Sequence, residues 1–406
     1  MDTSFTLLGP STPMPPDQHQ RLVSATNHLD APVAVLDLHA LSANAHSLVQ
    51  RAAGKPVRVA SKSIRSTAVL RALLNTSGYA GVLAFTLHEA IMLVETGVTD
   101  DVVVAYPTVQ RQALAHLVAS AELLEAITLM VDHPDQLRVI QDVGPAVAPV
   151  RICLDMDMSL RIGPLHIGAR RSPIHRTDQV MAAAEFITAN TMFRLVGLMG
   201  YEAQIAGVTD ASSFVTLIKR LSAKELRARR GALVAAVQRV LGQRGLPSLE
   251  FVNGGGTGSI ESTVTDEAVT EVAAGSGIYG PHLFDRYHKF QPHPAALFGL
   301  DVTRHPAPGI VTVQGGGWVA SGAPGADRLP LPIYPRGLRY VRTEGAGEVQ
   351  TPLKTTAGSA PALGERVWFR HAKAGELAEH VDHFHIITHH HITATVTTYR
   401  GDGHAL

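Results

Sequence analysis

The chain of 406 residues carries Lys+Arg 35 against Asp+Glu 35, a formal net charge of +0, so it presents no electrostatic footprint for nucleic acid or an acidic membrane surface. Its one cysteine, Cys153, excludes an intrachain disulfide framework and suits a reducing compartment. Hydrophobic residues make up 45%, enough for a sizeable core, yet no run of ~20 apolar residues offers a bilayer span, and the opening Met1-Asp2-Thr3 lacks the basic start of a signal peptide. A cytoplasmic protein with neither nucleic-acid nor membrane partners is the expectation.

In chain order, the first informative segment is Val57-Arg58-Val59-Ala60-Ser61-Lys62-Ser63, a short apolar strand that delivers Lys62 to its C-terminal end just before a helix begins at Ser66. Strand-like runs follow at 81–86, 101–107, 127–132, 150–157, 195–202, 249–257 and 271–280, each separated by helix-compatible sequence. Strands alternating with helices predict a parallel sheet, and eight such units are what a closed (β/α)8 barrel of the TIM type requires. A barrel of ~250 residues leaves roughly 150 outside it, roughly 120 of them C-terminal, for a second domain. Segment 212–243 is long, helical and basic, with Lys219, Arg220, Lys224, Arg227, Arg229 and Arg230, and reads as a solvated helix face extending the crossover between strands six and seven. Past residue 285 Pro and Gly become dense and apolar runs shorten to strand length at 309–313, 339–342, 366–370 and 392–399, the pattern of an all-β domain. The organisation expected is α/β, with residues 39–285 as the barrel, 286–406 as a C-terminal β domain, and 1–38 joining that domain.

A lysine at the end of strand one sits on the catalytic face of a barrel. Asn253-Gly254-Gly255-Gly256-Thr257-Gly258 follows strand seven, and Gly275-Ser276-Gly277-Ile278-Tyr279-Gly280 follows strand eight. Glycines there let backbone N–H groups approach an anion, and barrels commonly bind phosphate with these two loops. An amine and a phosphate cradle on one rim point to pyridoxal 5'-phosphate, the amine condensing with its aldehyde and the phosphate anchoring the ring.

These segments resemble the fold-type III pyridoxal phosphate enzymes, whose barrel is shared by alanine racemase, and in particular the D-threonine aldolase and D-serine dehydratase branch. The resemblance runs over nearly the whole chain. Thr26 to Leu41, with Ala31-Pro32-Val33-Ala34-Val35-Leu36-Asp37-Leu38, is like the family's opening strand and first helix, and Val59-Ala60-Ser61-Lys62-Ser63 matches its lysine motif. Asp155-Met156-Asp157-Met158-Ser159-Leu160-Arg161-Ile162-Gly163 is similar to the strand-five segment in which an arginine faces the pyridine nitrogen. Gly197-Leu198-Met199-Gly200-Tyr201-Glu202 resembles the segment lining the ring, and Gly277-Ile278-Tyr279-Gly280 the phosphate turn. The resemblance thus implies Lys62, Arg161, Tyr201, Gly255, Gly256, Thr257, Ser276, Gly277 and Tyr279 as cofactor contacts. The structural alternatives are that Arg161 pairs with Asp155 or Asp157 and that Tyr201 is a core tyrosine. A permanently charged Arg161 against the ring nitrogen would weaken the ring as an electron sink, which suits retro-aldol cleavage, racemisation or elimination. In the family the β domain packs over the partner subunit's barrel mouth, which implies a homodimer.

His371 lies in Phe369-Arg370-His371-Ala372-Lys373-Ala374-Gly375-Glu376-Leu377, close to where the related aldolases and dehydratases carry a His-x-Asp or His-x-Cys metal pair; Lys373 occupies the second position here. An ammonium cannot ligate a divalent cation. Three readings follow: Glu376, Asp382 or a nearby histidine completes a Mn, Mg or Zn site with His371; Lys373 supplies the charge instead; or the segment is structural. His383 and His385 alternate as on a strand, and 389–391 reads as a polar turn. The activity implied is cleavage of a D-configured β-hydroxy-α-amino acid to glycine and an aldehyde, with His371 taking the hydroxyl proton directly or through metal-activated water. If the hydroxyl leaves as water, the same residues make a dehydratase yielding a 2-oxo acid and ammonia. A racemase would need a second base such as Tyr334, Tyr340 or Tyr399, and a non-catalytic cofactor-binding protein would lack the β domain.

Overall fold

Eight parallel strands close on one another in the order Val57–Ala60, Tyr79–Ala84, Val102–Val104, Ile127–Val131, Val150–Asp155, Phe193–Gly200, Phe251–Gly254 and Glu271–Ala274, the last pairing back to the first. This is the TIM-type barrel, and each strand overlaps one of the apolar runs read from the sequence. The computed structural model describes residues 4–207, 213–287, 290–356 and 360–405. The barrel strands belong to one unit, Leu48–Lys62 with Leu74–Gly275; the other comprises Met1–Ser47, Ser63–Leu73 and Ser276–Ala405.

The barrel follows from a period-two alternation along its strands, interrupted in Phe193–Gly200 by a register shift at Val196. Leu83, Val103, Met130, Cys153, Val196, Met199, Phe251 and Ala273 form a cluster made of strand residues alone, which is the barrel interior. Their neighbours Ala84, Val102, Val104, Leu129, Val131, Ile152, Leu154, Leu198 and Val252 share a second cluster with helix residues such as Leu87, Leu117, Val180 and Val237, so they face the surrounding helices. Gly197 is required inside, because a Cβ there would lie 2.2 Å from the Phe251 ring. Near the N-terminal strand ends, buried Arg58 pairs with Glu271 at 2.7 Å and Asp101 at 2.8 Å and so closes the interior with satisfied charge. Local signals start the helices. Thr86 Oγ1 accepts the Glu89 N–H at the head of Leu87–Glu95, and Pro134 opens Pro134–Gln141, where its missing N–H is no loss.

The helix Ser213–Gln243 corrects one expectation; the start expected at 212 lies outside the described residues. Arg230 is not solvated but fully buried, paired with Glu202 at 3.0 Å and Asp266 at 2.8 Å. Arg229 donates to the carbonyls of Asp157 and Ser159. Arg229 also pairs with Glu225 on its own helix at 2.6 Å, whereas buried Arg230 finds its carboxylates, Glu202 and Asp266, outside the helix, as a buried cation requires.

In the other unit a nine-stranded sheet runs Leu338–Tyr340, Gln350–Thr355, Ile310–Gln314, Ala296–Ala307, Val33–Asp37, His383–Thr388, His391–Thr397, with Arg366–Arg370 pairing to Ala296–Ala307 and to Leu331–Tyr334. Val33–Asp37 lies between two C-terminal strands, Val35 opposite Leu297 antiparallel and opposite His385 parallel. Trp368, Leu22, Val33, Val35, Leu297 and Ile387 form a core beneath it. Leu331–Tyr334 and Gln350–Thr355 were not read as strands because each contains a proline, Pro332 and Pro352, which argues against ladder pairing; both pair all the same.

Candidate active site

A barrel gathers its chemistry where its strands end. Strand one stops at Ala60 and the chain makes a single 3-10 turn over Ser61–Ser63. The Ser61 hydroxyl donates to the Leu83 carbonyl at 3.1 Å, which pins the turn and leaves the Lys62 side chain exposed on the rim. Lys62 Nζ donates to the hydroxyl of Tyr106, the residue two places beyond the third strand, at 3.2 Å. The Arg171 guanidinium stands 5.6 Å from the Tyr106 ring and 5.1 Å from the Tyr201 ring, within cation–π range of both. Burial pushes the Tyr201 hydroxyl up, against the opposing pull of Arg171. Lys62, Tyr106, Arg171 and Tyr201 therefore form one cluster.

The loop after strand seven is braced from behind. Gly255 takes φ +87, a conformation that favours glycine, and its N–H donates to Glu202 Oε2 at 3.0 Å. Buried Glu202 also accepts from Thr263 and pairs with Arg230. The Gly256 N–H donates to Ser259 Oγ at 3.2 Å, and Arg51 donates to the Thr257 carbonyl at 2.6 Å. A Cβ on Gly256 would lie 3.0 Å from Ala206 Cβ and 3.2 Å from Tyr201 Cε2, so this glycine keeps the approach to the tyrosine open. A rim amine, a tyrosine hydroxyl in hydrogen-bond reach of it, and an aromatic wall beside a bare glycine fit pyridoxal phosphate.

Two carboxyls close neighbouring strands on this rim. Burial, then the nearby Asp132, raise Asp155 to about 7, while Arg171 works the other way; burial likewise raises Asp132. Arg161 sits on a hairpin, Leu160–Ile162 with Leu165–Ile167, that leaves the barrel after strand five. It is 43% exposed and its guanidinium pairs with Asp157. Burial opposes charge on Asp157, but the Ser159 N–H and hydroxyl and then Arg161 hold its carboxyl below the usual range. The arginine beside the two tyrosines is thus Arg171, and Arg161 adopts the alternative of pairing with Asp157.

The remaining sequence candidates lie in the other unit. Ser276 is half-buried and Gly277 buried. Tyr279 is fully buried, donates its hydroxyl to the Ile64 carbonyl at 2.8 Å, and meets Phe384 and His371 edge-on. His371 is buried with Nδ1 on the Ala296 carbonyl at 3.1 Å, and burial together with Arg370 holds it down at about 3. Its Nε2 has no hydrogen-bond partner among the described residues. Both oxygens of Glu376 accept the Ser321 N–H at 2.9 Å, and Lys373 Nζ donates to the Ser321 hydroxyl at 3.0 Å. Among the described residues no group of three or more His, Cys, Asp or Glu side chains is arranged to hold a metal ion, so the donors as placed do not fit a divalent cation.

Tyr106, Asp155, Arg171 and Glu202 carry roles that the sequence reading did not assign. Tyr106 and Asp155 had a signal, a polar group near the end of a predicted barrel strand. Arg171 had none, because it stands on the return of an unforeseen hairpin.

The fold and this rim define a fold-type III pyridoxal phosphate enzyme barrel. The model of the alanine racemase N-terminal domain family matches residues 36–282, and the chain belongs to that family. Among solved structures the chain is similar to D-threonine aldolase from Filomicrobium marinum, at 22% identity over 92% of this chain and 95% of that one with a TM-score of 0.72. It is also similar to D-threo-3-hydroxyaspartate dehydratase from Delftia sp. HT23, at 20% identity over 91% and 98% with a TM-score of 0.66. Alanine racemase from E. faecalis follows at 15% identity over 87% and 94%, TM-score 0.61. At these identities the likeness is one of fold. No curated protein matches the chain. No helix among the described residues is long and apolar enough to cross a membrane.

Proposed function

We propose that the chain is a pyridoxal phosphate-dependent lyase that acts on D-configured β-hydroxy-α-amino acids, cleaving the Cα–Cβ bond to give glycine and an aldehyde. The observation that carries this reading is Lys62 on the barrel rim, bonded to Tyr106 and bordered by Arg171 and Tyr201. When bound, the cofactor supplies an aldehyde for the lysine amine and a ring that withdraws electrons from the substrate α-carbon. Tyr106 orients Lys62, Tyr201 and Gly256 form the wall of the site, and Arg161 fixes the hairpin through Asp157. Gly255 and Thr257 are phosphate-side residues of this reading on the loop after strand seven; Ser276 and Gly277 are those of the turn after strand eight, which Tyr279 braces through Ile64.

Retro-aldol cleavage needs a base at the substrate hydroxyl. His371, held at about 3, is a weak base at neutral pH. Asp155, raised to about 7 on the same rim as Lys62, is matched to that task. The same carboxyl favours a second reading, because in its protonated form it can give a proton to a departing hydroxyl and make the enzyme a dehydratase. No step in either reading runs through a metal. Active particles of two chains complete the proposal, and sedimentation velocity tests that part.

Product analysis with D-threonine and pyridoxal phosphate, with and without Mn2+, tests the reaction. Acetaldehyde with glycine supports the aldolase; 2-oxobutyrate moves the assignment to the dehydratase; L-allothreonine alone, the Cα epimer, would sink both in favour of a racemase.

A further inference from the structure

The hairpin after strand five and its return, residues 161–173, enclose an open cleft of about 460 Å³ lined by Arg161, Leu165, His166, Arg170, Arg171 and Pro173. Its positive charge is largely unanswered. Arg161 is matched by Asp157, but Arg170 makes no hydrogen bond or ion pair among the described residues. Arg171 faces two tyrosine rings and, as its nearby carboxyl, Asp155, which burial raises to about 7 and which therefore answers its charge only in part near neutral pH.

The cleft is also built rather than loose. Ser172 Oγ donates to the Asp155 carbonyl at 2.7 Å and accepts the Ile174 N–H at 3.0 Å, and the Asp157 N–H donates to the Ile174 carbonyl at 2.7 Å. Gly168, at φ +140, packs so tightly that a Cβ would lie 2.9 Å from Ser159 Cα. Arg229 holds the Ser159 carbonyl from below at 2.9 Å. Arg171, which lines the cleft beside Arg170, also stands against the ring of Tyr106, the hydrogen-bond partner of Lys62, so the cleft adjoins the cluster that holds the lysine.

Guanidinium groups recognise carboxylates and phosphates through paired N–H donors. We propose that this cleft binds an anionic group at the far end of the substrate side chain, making the preferred substrate an amino acid whose side chain ends in a carboxylate or similar acid. This substrate class rests on the lyase reading above. The same arginines could instead meet the α-carboxylate that every amino acid carries, and the test separates the two sources.

Succinate and butyrate share a four-carbon length and differ by one carboxylate. Calorimetric titration of each into protein incubated with pyridoxal phosphate should show succinate binding about tenfold tighter or more. Arg170→Gln, a change at an exposed position, should abolish that preference while leaving butyrate affinity and the absorbance of the lysine-bound cofactor unchanged. Equal binding of the two acids, a succinate preference that survives in R170Q, or a variant weakened equally toward both would overturn the proposal. Failure of the cofactor to attach to Lys62 would instead count against the lyase reading, and the titration of the two acids stands apart from it.

Discussion

Replacing Glu202 by Gln probes the brace behind the glycine loop. The carboxylate is 2% exposed and the Arg230 guanidinium 0% exposed, so neither charge is screened by water. Glutamine keeps the shape and an acceptor for the Gly255 N–H but removes the charge that faces Arg230. Arg230 retains Asp266 at 2.8 Å, which places the cost at the lower end of that for breaking a buried pair, about 3 kcal/mol. Arg230→Met should cost more, about 5 kcal/mol, since it leaves buried Glu202 without a counter-charge and Asp266 with only Lys55 nearby. Both tryptophans, Trp318 and Trp368, lie in the β-rich unit. Urea unfolding followed by far-UV circular dichroism therefore reports on the barrel helices, and E202Q should lower the midpoint by about 1 M. A midpoint within ~0.3 M of the parent, equivalent to less than ~1 kcal/mol, would refute the reasoning that the Glu202–Arg230 pair is a buried, unscreened charge contact.

Two glycines make opposite predictions. Gly197→Ala drives a methyl into the Phe251 ring and should cost about 1–3 kcal/mol. Gly231→Ala, within Ser213–Gln243 and with nothing within 4 Å of the new Cβ, should stabilise by about 0.5–1 kcal/mol; urea midpoints check both. His371 gives a pH dependence. Its folded value of about 3 lies below the ordinary 6.5, so between those values the unfolded chain binds a proton that the folded chain excludes. The stability of the β-rich unit should be full above pH 6.5 and fall as pH drops toward 3, by at most about 5 kcal/mol. Tryptophan fluorescence follows it, and His371→Leu should flatten the profile; an unchanged profile in the variant would show that other groups carry the acid sensitivity.

The barrel was legible because each strand is a short apolar run bounded by helix-compatible sequence, and Lys62 because it stands at the end of such a run. Arg230 could have been found as well. It lies on the stripe Leu226, Leu233, Val237, four residues after one buried leucine and three before the next, and a cation on an apolar stripe calls for buried partners. The partners themselves, Glu202 and Asp266, are distant in sequence and set by the closed barrel. The hairpin at 160–167 was not legible, since its strands are three residues each, too short for their apolar–polar alternation to stand out. That hid Arg171, ten residues beyond the arginine that the motif favoured. The environments of His371 and Glu376 depend on Ala296 and Ser321, contacts across 75 and 55 residues that no local pattern encodes.

The most direct test of the central claim is to incubate the protein with pyridoxal phosphate, reduce it with sodium borohydride, digest with trypsin and map the modified lysine by mass spectrometry. The pyridoxyl group should be found on Lys62, blocking cleavage there and yielding the peptide Val59–Arg65. Label at Lys55 or Lys373 instead, or no stable label, would contradict the assignment of Lys62 as the cofactor-binding lysine.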